Sequence, residues 1–126
     1  MEMAQRKSKN REVIYEVLAS TKSHPDAEWV YANAKEKLPD MGIATVYRNL
    51  KALVESGKIM EIESIDGTVH YDANMTPHSH FICEGCGAIS DVDIPFVSYN
   101  IIEKDGYEVK RGKIVLYGVC PKCAKN

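Results

Sequence analysis

The sequence has no cysteine outside two Cys-x-x-Cys pairs, no long apolar run and no secretory leader pattern. Without a long apolar run, we expect no transmembrane helix, and the missing leader predicts a soluble, cytoplasmic protein. In a reducing compartment, paired Cys-x-x-Cys motifs favour zinc over disulfide bonds. The 126 residues leave room for one domain or two small ones, and a small core gains from a structural metal or a dimer interface.

A dense basic patch is also missing, because the net charge is only −2. The charge is nevertheless uneven: residues 1–60 contain ten Lys/Arg and eight Asp/Glu, whereas residues 61–126 contain six and ten. Arg11 belongs to a short basic stretch near the N-terminus. By itself this mild bias is weak support for a nucleic-acid partner.

The first half of the chain shows three helical patterns followed by a hairpin pattern. We predict helices over residues 8–20, from Pro25 to about Lys37, and in the segment GIATVYRNLKALVESG. Two short strands follow, over 58–65 and 68–71, and Asp66-Gly67 between them favours a hairpin. Three helices and a hairpin are typical of a winged helix.

In a winged helix the third helix enters the major groove of DNA. The predicted DNA contacts are polar residues early in that helix and one arginine near the N-terminus: Thr45, Tyr47, Arg48, Asn49 and Arg11. Among these, an arginine could read guanine and an asparagine could read adenine. The alternative interpretations are a solvated helix face and a module that binds protein.

The second half shows strand periodicity. We predict a strand ending at Cys83, a turn at 85–87, a returning strand over 88–94, a helix over 95–104, and one or two strands over 107–119 with a turn near 111–112. The fold class is therefore α+β. Four thiolates from the two pairs would form a closed tetrahedral zinc site, on which folding would depend: Cys83, Cys86, Cys120 and Cys123. The alternative is a pair of redox dithiols.

A second group of ligand-type residues precedes the first cysteine pair. His78 and His80 share one strand face, and if Cys83 lies opposite Ala88, the same register places His80 opposite Asp91. Imidazole with carboxylate suits iron, manganese or zinc. The alternative is two surface histidines that share a face by chance.

The motifs HP, GIATVYRNLKALVESG, HSHFICEGCG and VCPKC, in this order, resemble the ferric uptake regulator family of metal-dependent repressors. The resemblance runs from about residue 6 to residue 123. It implies a winged-helix DNA-binding domain at 1–73, a hinge at 74–77 and a metal-binding dimerisation domain at 78–126. It also implies a homodimer that binds inverted-repeat operators in double-stranded DNA.

The resemblance assigns the four cysteines to structural Zn(II) and a further set to regulatory Fe(II) or Mn(II): His24, Asp72, His78, His80 and Asp91. The two aspartates resemble the peroxide-sensing branch, in which an oxidant formed at the iron modifies a ligand histidine, here His24 or His78. This single modification is a switch, so we expect no enzyme. His70 matches no family ligand, but on the predicted strand it faces the same side as Asp72. It is interpreted as a surface histidine, with a further metal ligand as the alternative.

Two alternatives stay open. The first is an iron- or manganese-responsive repressor of metal uptake without peroxide sensing. The second is a zinc hydrolase that uses His78, His80 and a carboxylate, with water in the fourth position. No general base for such a hydrolase is evident in the sequence.

Overall fold

The computed structural model of the chain describes residues 2–74, 78–92, 100–109 and 112–125. These residues form two compact units, Met1–Met75 and Thr76–Asn126. The predicted hinge at 74–77 includes residues 75–77, which lie outside the described residues. Within the described parts of the chain, no helix is both long and apolar enough to cross a membrane.

The first unit contains three helices and a two-stranded antiparallel sheet. The helices are α1 (Glu2–Ala19), α2 (Ala27–Lys37) and α3 (Ile43–Glu55), and the strands are β1 (Met60–Glu63) and β2 (Val69–Asp72). Apolar side chains from all three helices form the core, in which Ile14, Val30 and Leu50 are fully buried. Truncating a buried leucine such as Leu50 to alanine costs about 2–5 kcal/mol. The winged-helix prediction for this unit is confirmed.

Helix α2 begins two residues later than the sequence predicted, at Ala27 rather than Pro25. Pro25 does not open the helix; Asp26 is its N-cap, and its carboxylate accepts a hydrogen bond of 2.9 Å from the Trp29 backbone N–H. The Pro25 carbonyl instead accepts the Tyr71 backbone N–H at 2.9 Å, which pairs this segment with β2. The tertiary contact with β2 therefore overrides the local preference of proline for the first helical position.

The hairpin turn is also longer than a two-residue Asp-Gly turn. Residues 64–68 connect the strands, and the Ser64 N–H donates to the Thr68 carbonyl at 2.8 Å. The Asp66 carboxylate accepts the Ser64 hydroxyl and the Thr68 N–H. Gly67 has φ of 86°, a left-handed conformation that favours glycine.

The described residues of the second unit form a three-stranded sheet and two short helices. The strands are β3 (Ser79–Cys83), β4 (Ile89–Val92) and β5 (Ile114–Gly118), and the helices are α4 (Asn100–Glu103) and α5 (Pro121–Ala124). The order is β4-β3-β5, in which β3 is antiparallel to β4 and parallel to β5. The α+β fold class is confirmed. Residues 93–99, within the predicted strand and helix there, and residue 111 of the predicted turn lie outside the described residues.

Candidate metal centres

The four cysteines lie together at an end of the three-stranded sheet, and we call them the sulfur group. Cys83 is the last residue of β3, Cys86 follows in the turn, and the other pair flanks the start of α5. One sulfur atom from each residue lies within 4.8 Å of every other. The Sγ atoms of Cys86 and Cys120 are 3.9 Å apart, and two thiolates on a tetrahedral zinc at about 2.3 Å would be about 3.8 Å apart. The donor set and its spacing fit structural zinc.

The backbone supports this group through the buried Cys83 sulfur. This atom accepts N–H groups from Gly85 at 3.3 Å, Cys86 at 3.4 Å and Cys120 at 3.3 Å. These bonds, first the one from Cys120 and then the one from Cys86, lower the pKa of the Cys83 thiol to about 6. Contact with the Cys83 sulfur, and then with those of Cys120 and Cys86, raises the pKa of Cys123 to about 12. Zinc binding would therefore displace protons from the cysteine cluster, because the metal takes the thiolate form of each ligand.

Gly85 contributes to the cysteine group by lacking a side chain. A Cβ atom at this position would lie 3.1 Å from the Cys123 sulfur and 3.6 Å from the Cys83 sulfur. This is tighter than most carbon contacts, and a metal-bound sulfur has little freedom to move. The sequence analysis missed this role. The glycine inside Cys-x-x-Cys was its signal, but only the return of the second pair reveals the contact.

Three ligand-type side chains of the second unit converge on one face of its sheet. His80 pairs with Asp91 across β3 and β4, so the predicted register is confirmed. The Nε2 atoms of His78 and His80 are 3.0 Å apart, and an Asp91 oxygen lies 3.5 Å from the first and 3.2 Å from the second. Two ligands at about 2.1 Å from an ion are about 3.0 Å apart at right angles and about 3.4 Å apart in a tetrahedron. These three donors thus fit one metal ion.

The first unit holds a separate pair of such groups. His24 is 4% exposed, and its Nε2 lies 3.4 Å from an oxygen of Asp72, the last residue of β2. A buried imidazole and a buried carboxylate at this distance fit a hard or borderline divalent ion. All five N/O groups fit iron or manganese better than a thiol-seeking metal. The assignment of these residues as regulatory ligands stays a prediction.

The predicted DNA contacts lie on or beside α3 in the first unit. Tyr47 is 52% exposed, and the exposed Arg48 donates to the Thr45 hydroxyl at 3.1 Å. Asn49 is buried; its amide donates to the Thr45 carbonyl at 2.8 Å and accepts the Arg11 Nε–H at 3.2 Å. These contacts favour Asn49 as the residue that holds Arg11 beside α3 rather than as a reader of bases. All five assignments stay predictions.

Known proteins match this chain over most of its length. The profile of the Ferric uptake regulator family matches residues 2–117. The "Peroxide operon regulator" of Bacillus subtilis (strain 168) is 35% identical over 119 residues, which are 92% of this chain and 82% of that protein.

Solved structures show the same fold. The Campylobacter jejuni peroxide stress regulator has a TM-score of 0.78 and 26% identity, over 97% of this chain and 94% of that one. The Helicobacter pylori ferric uptake regulator, a protein with three functional metal binding sites, has a TM-score of 0.74 and 23% identity, over 99% and 89%. The chain therefore belongs to the ferric uptake regulator family, whose members are metal-responsive transcription regulators rather than enzymes.

Proposed function

We propose that this chain is a peroxide-responsive repressor whose regulatory metal is Fe(II) or Mn(II). The observation that carries the proposal is the donor set: two histidines and an aspartate on one sheet face, and a histidine–aspartate pair in the other unit. No cysteine is left over for this set, since all four form the sulfur group. The similarity to peroxide regulators supports the same conclusion.

In this proposal one regulatory ion takes ligands from both units. His24 and Asp72 come from the winged helix, and His78, His80 and Asp91 from the second unit. An ion shared in this way favours one arrangement of the DNA-binding units within a homodimer. Metal affinity is then coupled to affinity for an inverted-repeat operator, because the metal and the DNA bind most tightly to the same arrangement of the units.

Two histidines of the set, His24 and His78, are also the proposed sensors. Bound iron would provide the reactivity toward hydrogen peroxide. One oxygen atom of the peroxide is added to the ring of His24 or His78, and the other leaves as water. The oxidised ring no longer presents its nitrogen as a donor to the metal. The metal is therefore bound less tightly, and the affinity of the protein for the operator falls. Manganese bound by the same residues would maintain DNA binding without this modification.

The first experiment measures histidine oxidation by peptide mass spectrometry. The zinc-containing protein is loaded anaerobically with Fe(II), treated briefly with dilute hydrogen peroxide, and compared with a Mn(II)-loaded sample. We expect a gain of one oxygen on His24 or His78 with iron alone. Equal oxidation in both samples, or none in either, would overturn the peroxide mechanism.

The second experiment measures DNA binding. Operator-like duplexes are selected from a random pool with Mn(II)-loaded protein, and their affinity is measured by fluorescence anisotropy. We expect metal-dependent binding, lost in Arg48→Ala, with Lys37→Ala at the exposed end of α2 as the control. An iron- or manganese-responsive repressor of metal uptake is the alternative function; it predicts the same DNA binding with no histidine oxidation.

A further inference from the structure

The segment that carries His24 is attached to strand β2 by a series of hydrogen bonds. The Tyr71 N–H donates to the Pro25 carbonyl, and Asp26 forms an isolated antiparallel bridge with His70. A further bond comes from a side chain: Nδ1 of His70 lies 2.6 Å from the carbonyl oxygen of His24. The backbone of a proposed metal ligand is thus held by a histidine that matches no ligand of the family.

His24 needs such support because its backbone conformation is unfavourable. Its φ is 55°, and among the described residues it is the one non-glycine residue with positive φ. A left-handed conformation crowds the Cβ of an ordinary residue. Residues in such conformations persist only where surrounding contacts hold them.

The hydrogen-bond partner of His70 Nδ1 determines whether that nitrogen carries a hydrogen. A carbonyl oxygen only accepts, so Nδ1 of His70 carries the hydrogen and donates it. His70 and Asp72 also lie on the same face of β2, because side chains alternate along a strand. One short strand therefore presents Asp72 to the imidazole of His24 and presents His70 to its carbonyl.

We propose that His70 is a positioning residue of the regulatory metal site, which keeps His24 in its left-handed conformation with the imidazole beside Asp72. This inference rests on the proposed function, since it assigns His70 to the ligand set proposed there. Hydrogen-bonding partners of metal ligands typically change metal affinity by about 10- to 100-fold when they are removed. His70 acts one step further away, through the backbone, so we expect the lower end of this range.

Two amide substitutions distinguish the donor from the ring. The side-chain nitrogen of asparagine stands at about the same number of bonds from the backbone as Nδ1, whereas that of glutamine stands one bond further out, near Nε2. His70→Asn therefore retains a donor for the His24 carbonyl, and His70→Gln does not. Mn(II) affinity is measured calorimetrically on the zinc-containing full chain, in the native and His24→Ala backgrounds.

We expect His70→Gln to weaken Mn(II) binding about tenfold and His70→Asn to stay near native. In the His24→Ala background, His70→Gln should have no further effect, because the residue through which it acts is gone. Zinc content and the unfolding midpoint from Trp29 fluorescence, the single tryptophan, should stay unchanged. An equal loss in both amide variants, native affinity in His70→Gln, or an effect that persists without His24 would each overturn the inference.

The same measurements separate this inference from the proposed function. If His24→Ala itself binds Mn(II) with native affinity, the proposed ligand set is wrong whatever the His70 variants do. If His24→Ala weakens binding while His70→Gln does not, the ligand set stands and only the positioning role of His70 fails.

Discussion

The sulfur group and the nitrogen/oxygen groups of this chain are built in contrasting ways. The sulfur group lies entirely within the second unit, with four thiol ligands and backbone N–H groups directed at Cys83. The nitrogen/oxygen groups are divided, with a pair in the first unit and three side chains in the second. A site completed within one unit stabilises that unit, whereas the proposed regulatory ion would take ligands from both units, so its affinity would depend on their arrangement.

The largest effect is expected from removing one ligand of the sulfur group. Cys123→Ser should abolish stoichiometric zinc and unfold the second unit, because a small unit with a structural zinc depends on it for folding. Elemental analysis and circular dichroism measure both consequences. Lys122→Ser, at the exposed neighbouring position of α5, is the control and should keep its zinc. A folded, zinc-containing Cys123→Ser protein would show that the group is not a four-thiolate structural site.

A smaller effect is expected from crowding the same group without removing a ligand. In Gly85→Ala the new Cβ would lie 3.1 Å from the Cys123 sulfur, so we expect zinc loss to a chelator to accelerate about tenfold. Gly42→Ala is the matched control, since a Cβ there meets nothing within 4 Å. Release followed with a colorimetric zinc indicator measures the difference. Identical rates in the two variants would mean that Gly85 does not shape the site.

The smallest effect is expected from weakening the turn of the hairpin that carries Asp72, a change that leaves the sulfur group intact. The Ser64 hydroxyl, and then the Thr68 N–H, lower the pKa of Asp66 from 3.8 to about 2. A lowered pKa stabilises the fold above pH 3.8, and this contribution is lost as the pH falls through about 2. Asp66→Ala should lower the midpoint of Trp29-monitored unfolding slightly near neutral pH.

Zinc content should not change in Asp66→Ala. The difference from the native protein in unfolding midpoint should shrink as the pH falls from 3.8 to about 2, because the carboxylate of the unfolded chain gains its proton first and the native carboxylate only near pH 2. A difference independent of pH would assign the effect to something other than this charge.

Periodicity and turn signals were sufficient to predict the helices and hairpin of the first unit, the two strands that meet beside Cys83, and one decisive register. They did not predict the short helix α5. The strand pattern around Cys83 placed His80 opposite Asp91, because side chains in paired strands face each other at fixed intervals. The apolar stripe predicted for α3 comprises Ile43, Val46, Leu50, Leu53 and Val54. Its three central members are buried, Val54 is half-buried, and Ile43 in the first turn is 39% exposed. Patterns of this kind are local, so sequence carries them directly.

Features that depend on contacts between distant residues were not predictable. The N-cap at Asp26 and the left-handed His24 arise because β2, more than 40 residues later, pairs with this segment. The hydrogen bond that the Asn49 side-chain oxygen accepts comes from Arg11, which lies in another helix. The role of Gly85 depends on the second cysteine pair, which returns from the far end of β5.

The most direct test of the divided regulatory site is the stoichiometry and affinity of Mn(II) binding to zinc-containing Asp72→Ala and Asp91→Ala. The first variant changes only the winged-helix unit and the second only the other unit. If both units hold one ion, native protein binds one Mn(II) per chain and each variant weakens that same ion, by about 100-fold or more for a lost ligand. If either variant still binds one Mn(II) with native affinity, the two groups are independent and the central proposal is contradicted.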